Sequence, residues 1–364
     1  MAKGYNAFAD VLVTRDGVDI NDLFAEARAA VSLRNTQRQR WVDLLTFRTT
    51  QASDDVLQVG DQSGIQMEQS SEYGLPVGIR TSDSFATMAA QGSWYDIATK
   101  FTYRALAEMS AAQIAAITNA ALEADNKKTY ELVLGQLFNK SNVTFTEKGV
   151  ALTAYTFWNN DGTVPPSYNG NTFAGTHQHY RTSGAAAVTS GDLDEIIADF
   201  KSHGFSAENG TQMVLFCNPT EGAVINAFRV GTGAAEDFVP AAGARFFTPD
   251  HLLGTQPSAS WGDWAVKGGY GELLVIEDTR IPVGYIVGLV SGGDNVPSNP
   301  IMLREHANAA FTGLQIIPGQ NSSYPLVDSY FTHYMGTGVR QRGAGLVMQI
   351  TAAGAYTAPS ALTI

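Results

Sequence analysis

A run of 38 residues, Phe101–Phe138, carries no proline and only one glycine, Gly135, near its end. Nothing else in the chain constrains the fold as much. Alanine, which loses least on entering a helix, dominates its middle. Ile114, Ile117, Ala121 and Ala124 recur at i, i+3, i+7 and i+10 and so share one face. Ser110 is placed to cap the main body, since its oxygen can accept from the free amides of the first turn. From Ser110 to Phe138 such a helix spans roughly 40 Å. That exceeds what an ordinary domain core needs, and it points to a subunit that reaches toward neighbours.

The segment feeding this helix has the opposite character. From Gln51 to Gln91 the chain is rich in Ser, Asp, Gln and Gly, with short alternating pieces such as Val56-Leu57-Gln58-Val59. It reads as a long two-stranded excursion with little to bury, which is hard to stabilise alone and should rest on something else. Charge is uneven across this boundary. Arg28, Arg34, Arg38, Arg40 and Arg48 face only Asp43 in their window, whereas Asp54, Asp55, Asp61, Glu68, Glu72, Asp83 and Asp96 face Arg80 alone. A basic arm beside an acidic arm can pair within or between chains; a solvated charge run is the plainer alternative.

Of the 364 residues, 44% are hydrophobic and 16% charged, below the usual quarter. Low charge with much Gly and Ala fits a protein that buries surface against other subunits, and an ordinary β-rich globular protein is the competing reading. A net charge of −12 argues against general nucleic-acid binding, which needs clustered Lys and Arg. An acidic wall still suits a container that does not grip a polyanion inside. The start, MAKGYNAFAD, lacks a secretory h-region, and no apolar run approaches a membrane span. Cys217, the only cysteine, sits in an apolar run, Met213-Val-Leu-Phe-Cys217, and reads as a packed core thiol.

Asp19–Leu45 reads as one helix, capped by Asp19 or Asn21. Val143–Thr156 gives strand-like pieces, and Asn160-Asp-Gly and Tyr168-Asn-Gly mark turns. Ser190–His203 is a helix with Leu193, Ile196, Ile197 and Phe200 on its apolar face, capped by Ser190 or Asp192 and stopped at Gly204. A buried strand to Cys217, an Asn218-Pro219 turn and a helix Thr220–Phe228 follow. Strands are expected at Leu273–Glu277, Tyr285–Leu289 and Gly313–Ile317, with a closing strand or strand pair in Tyr330–Thr351.

Catalytic patterns are lacking. There is no G-x-x-x-x-G-K, no H-E-x-x-H and no G-x-S-x-G. His177 and His179 form the only close histidine pair. Alternate residues of a strand share a face, so both rings can reach one metal. With no Cys nearby and no carboxylate cluster in sequence, a structural or exposed loop pair is the expected role. His203, His251, His306 and His333 read as isolated packing or surface residues. No catalytic, cofactor or metal residue is assigned.

The order of parts resembles the major capsid protein of tailed bacteriophages, whose shell fold is shared with encapsulins and herpesvirus capsid floors. Three pieces carry the resemblance. Phe101–Phe138 is similar to the family's spine helix. Leu193–Phe228, with DEIIADFKSHGFSAENGTQMVLFCNPTEGAVINAF, is similar to its axial-domain helix, strand and NP turn. FTHYMGTGVRQRGAGLV, from Phe331 to Val347, is similar to its last peripheral strands. The resemblance implies an α+β fold with an N-terminal arm (1–48), an E-loop β-hairpin (49–99), a P-domain with the spine helix (100–190 and 325–364) and an α/β A-domain (191–324). It implies a non-enzymatic subunit that forms pentamers and hexamers of an icosahedral head around double-stranded DNA. The head would be a virion part assembled in the host bacterial cytoplasm, with portal and scaffold proteins, a cement or decoration protein, no cofactor and no membrane. Arg34, Arg38 and Arg40 against Asp54, Asp55, Glu68 and Glu72 become the expected subunit-interface charges.

Some members of the family crosslink through an E-loop Lys, a P-domain Asn and a catalytic Glu. Here no Lys lies between Lys3 and Lys100, so no isopeptide crosslink is expected. The roughly forty residues ahead of the E-loop leave no room for a long scaffolding segment, so a separate scaffold is expected. An encapsulin-type shell is the alternative within the fold. A cytoplasmic α/β enzyme using His177 and His179 is the alternative from another class.

Overall fold

The long helical run is broken near its start. In the computed structural model, which describes residues 12–36, 39–58, 69, 72, 74, 85–243, 255–318 and 326–360, Phe101 lies within a strand, Ser93–Thr102, and is not helical. Thr102 then caps a short helix, Tyr103–Glu108, accepting from the Ala105 amide at 3.1 Å. The main helix runs Ala111–Phe138. Ser110 stands at its start as expected, its oxygen 3.4 Å from the Gln113 amide while Gln113 Oε1 accepts from the Ser110 amide at 2.8 Å. Asp16 also accepts from the Ala111 amide.

The chain divides into two compact units. The first holds 1–38, 92–132 and 304–336; the second holds 39–91, 133–303 and 337–364. In the first, Ser93–Thr102 pairs antiparallel with Leu326–Val339, in register from Leu326↔Thr102 to Met335↔Ser93. Gln315–Pro318 pairs antiparallel with the same strand, Gln315 opposite Thr332. The expected Asp19–Leu45 helix is two helices, Ile20–Thr36 and Arg40–Leu45, because Gln39 takes an extended conformation that no helix continues through. Ile20, Phe101, Leu106 and Ile114 form one buried cluster, and Val31, Ala121, Leu314 and Phe331 another.

The second unit is built on a mixed sheet. Its strands lie in the order Ser260–Trp261, Trp264–Tyr270, Leu273–Glu277, Gln212–Cys217, Tyr285–Ser291, Gly345–Gln349, Tyr180–Thr182. Gln212–Cys217 is central, parallel to Leu273–Glu277 and antiparallel to Tyr285–Ser291. It is apolar and buried because both faces are covered. The Ser190–Ser202 helix packs Leu193, Ile196 and Phe200 onto it. A Cβ on Gly288 would lie 2.8 Å from Ile196 Cγ2, so a glycine there lets the helix approach the sheet. Thr189, not Ser190 or Asp192, caps this helix; Thr189 and Asp192 form a reciprocal capping box. Gly204, at φ +88°, ends it as expected. Asn218 caps the following helix, which runs Pro219–Ile225. Cys217 is fully buried, and burial pushes its thiol up to about 12.

The expected excursion begins as a hairpin root. Ser53–Leu57 pairs antiparallel with Phe85–Ala89, Ser53 opposite Ala89 and Leu57 opposite Phe85. Its support is a short stretch, Gly338–Arg342. Gln58 Nε2 donates to the Arg340 carbonyl at 3.0 Å, Gln341 Nε2 to the Leu57 carbonyl at 3.0 Å, and the Arg342 amide to Gln58 Oε1 at 2.9 Å.

Candidate functional site: interface charges and a buried histidine cluster

The charges expected at interfaces have varied surroundings. Arg34, in the last turn of Ile20–Thr36, pairs with Asp125 on the long helix and donates to Asn126 Oδ1. His333 Nδ1 reaches the other Asp125 oxygen at 2.7 Å. Asp125 and Thr129 extend the buried stripe of Ile114 and Ala121 by further helical turns, so a polar anchor occupies a face that reads as apolar in sequence. Asp54 pairs with Arg340 at 2.6 Å, at the hairpin root. Asp55 accepts from Thr87 Oγ1 across the hairpin at 2.6 Å. Arg40 lies 3.6 Å from Asp294 with both side chains more than half exposed. Glu72 is exposed. Arg38 and Glu68 fall outside the described residues.

A second ionic centre was not visible in sequence. Arg342, 3% exposed, donates through Nη2 to Asp161 Oδ2 at 2.8 Å, through Nε to the Thr156 carbonyl at 2.9 Å, and through Nη1 to Thr163 Oγ1 at 2.7 Å. Its guanidinium also lies 4.1 Å from the centre of the Trp158 ring. Burial alone would raise the Asp161 carboxyl. Hydrogen bonds from Thr163 and Asn142 and the Arg342 charge outweigh that and bring it down to about 2.

The histidines correct the sequence reading most. His177 and His179 flank the Asn159↔Gln178 bridge just before the Tyr180–Thr182 strand, and both rings turn to the same side. His203 is not isolated: it stands at the C-terminal cap of Ser190–Ser202 with its Nε2 2.9 Å from that of His177 and 3.0 Å from that of His179. The Nε2 atoms of His177 and His179 are 3.0 Å apart. A carboxylate is present after all. Asp199, one helical turn before His203, brings Oδ2 to 3.0 Å from His179 Nε2, while its Oδ1 accepts from Arg181 at 2.9 Å. All ligand atoms lie within 4.8 Å of one another. His179 is 0% exposed, His203 2% and Asp199 9%. Phe173 stacks on His203, rings 4.3 Å apart and 2° from parallel.

His179 Nδ1 lies 2.6 Å from the Gly345 carbonyl. A carbonyl oxygen only accepts, so Nδ1 carries the proton and Nε2 presents a lone pair to the cluster. Burial lowers the pKa of all three rings, that of His203 to about 2 and that of His179 well below the ordinary imidazole value. The available sequence signals were H-x-H and a D-x-x-x-H pair on one helix face; only the fold joins them.

The chain matches a solved structure of Mycobacterium phage Patience at 35% identity, over 96% of this chain and 93% of that one, with a TM-score of 0.72. The chain belongs to the major capsid proteins of tailed bacteriophages. Its fold is the HK97-like shell fold. Weaker likenesses run to the capsid of an empty GTA particle (12% identity, 86% of this chain and 90% of that one, TM-score 0.47) and to the SrpI encapsulin of Synechococcus elongatus (13%, 88% and 90%, 0.45). No family model and no curated protein matches the chain. This capsid protein is a structural shell protein of the virion, and its family assembles into oligomeric shells.

Proposed function

We propose that this capsid protein forms the pentamers and hexamers of an icosahedral head that encloses double-stranded DNA, held together without isopeptide crosslinks. The observation that carries the assembly reading is the strand Ser93–Thr102. It is ten residues long and, among the described residues, pairs as a strand only with Leu326–Val339. Trp94, Asp96, Ile97 and Ala98 are exposed, so both faces of the strand meet solvent in the single chain. Trp94, 47% exposed, stands with His306, Phe311 and Tyr334 in an aromatic patch. A long edge strand beside exposed aromatic surface invites association, and a neighbouring subunit covers it in a shell.

The arm (1–48), E-loop (49–99), P-domain (100–190 and 325–364) and A-domain (191–324) are the working divisions. Arg34, Arg38, Arg40, Asp54, Asp55, Glu68 and Glu72 are the charges offered to neighbours; Arg34, Arg40, Asp54 and Asp55 also make contacts within the chain. A portal, a separate scaffold and a cement protein are the partners, and assembly takes place in the host cytoplasm. Electron microscopy of the purified chain, co-expressed with its neighbouring genes, tests this reading. Rings or closed angular shells are expected, and a compact monomer or dimer under every condition overturns it. A denaturing gel of mature particles should show a single monomer band, because the E-loop carries no lysine amine; a ladder of linked subunits would mean that the shell is covalently crosslinked by another route.

A further inference from the structure

We propose that His177, His179, His203 and Asp199 form a structural binding site for a divalent transition metal, zinc foremost. The geometry carries this independently of the assembly reading. Three Nε2 atoms make a near-equilateral triangle with edges of 2.9–3.0 Å. At a Zn–N distance of about 2.0–2.1 Å, nitrogens of a tetrahedral site stand about 3.3 Å apart. The observed triangle is a few tenths of an ångström tighter, so side-chain adjustments alone would admit an ion capping it.

Proton accounting for the neutral rings points the same way. His179 Nε2 is bare, because Nδ1 donates to the Gly345 carbonyl. If His177 and His203 both carried a proton on Nε2, those two hydrogens would meet across 2.9 Å. If only one did, two lone pairs would face each other along an edge of the triangle. No set of neutral tautomers satisfies all three contacts. Asp199 Oδ2 adds to the conflict: it is buried, accepts no hydrogen bond from any described residue, and sits 3.0 Å from the bare His179 nitrogen, acceptor against acceptor. A cation among these four atoms turns every repulsive contact into a ligand bond.

The surroundings match what metal ligands require. The Gly345 carbonyl fixes the His179 tautomer, and Arg181 holds the other Asp199 oxygen at 2.9 Å, leaving Oδ2 to point inward. Phe173 covers the rings of His177 and His203. Three imidazoles and one carboxylate complete a four-coordinate set, which is the pattern of a closed structural site. The ion would clip the segment ahead of Tyr180–Thr182 to the end of Ser190–Ser202, and its binding energy would add to folding energy.

The test uses the purified full-length chain, dialysed against chelator and then titrated with zinc or cobalt. Elemental analysis should find about one zinc per chain, the cobalt form should show intense visible bands of a tetrahedral site, and zinc should raise the melting temperature. His177 lies at the rim of the cluster, so His177→Ala is the variant expected to stay folded, with zinc affinity reduced by at least about 100-fold and no zinc-dependent melting shift. Circular dichroism checks its fold. Wild-type protein that takes up neither metal, or a cobalt spectrum without those bands, overturns the proposal with no variant needed. So does a folded His177→Ala chain that binds zinc as tightly as wild type.

Discussion

Buried Arg342 and the more exposed Asp161 form an ion pair, Nη2 to Oδ2 at 2.8 Å, in which the guanidinium also holds the Thr156 carbonyl and Thr163 Oγ1. Removing one partner of such a pair leaves the other charge and several polar atoms unsatisfied. Arg342→Ala should therefore cost about 3 kcal/mol of stability. Thermal or urea unfolding of the purified chain reads this directly, and an unchanged midpoint would show that water replaces the arginine without penalty.

Acid should weaken the fold through the same carboxylate. Asp161 is lowered from 3.8 to about 2 in the folded chain. A depressed carboxyl stabilises fully above its unfolded value, and that contribution is lost as the pH falls from about 4 to about 2. Asp125 acts in the same direction: burial opposes it, but His333 and Arg34 lower its pKa. Melting temperatures measured from pH 5 to pH 2 should fall less steeply for Asp161→Asn than for wild type, starting from a lower value. Parallel slopes would remove Asp161 from the account.

The fold was legible where one local signal sufficed. Alanine content and the Ile114–Ala121 stripe marked the long helix Ala111–Phe138, and the apolar run to Cys217 marked the central strand. The helix start at Phe101 misled because Phe101 has helical spacing to later apolar residues, yet its backbone pairs with Val327. The histidine cluster was half legible. H-x-H at 177 and 179 suggested a shared face, but Asp199 and His203 belong to a helix some twenty residues later. Nothing local distinguishes them from helix-surface polar residues until the Gly345 carbonyl orients His179. Arg342 and Asp161 are farther apart still, and neither has a recognisable motif.

Arg34 and Arg40 should separate structural from interface roles. Arg34 serves Asp125 and Asn126 within the chain, so Arg34→Glu places like charges together and should lower the melting temperature of the unassembled chain. Among the described residues, the ion pair of Arg40 is an exposed contact with Asp294, which is worth little. Arg40→Glu should leave melting nearly unchanged and reduce the yield of capsomers. Sedimentation of both variants beside wild type decides it; full assembly by Arg40→Glu would take that residue out of the interface.

Trp94 is the sharper probe of assembly. Its ring lies 5.2 Å from the ring of Tyr334 and 5.2 Å from that of His306, yet 47% of the residue faces solvent. Burying that exposed area against a neighbour would favour association at about 25 cal/mol per Å². Trp94→Asp keeps the backbone pairing with Tyr334 but replaces the apolar face with a charge. The variant should melt within about 1 kcal/mol of wild type while failing to form closed shells. If it assembles normally, the exposed edge of the Ser93–Thr102 strand is covered by something other than an apolar subunit contact. If instead it unfolds, the aromatic patch belongs to the core of its own chain, and the interface has to be sought along the hairpin that starts at Ser53.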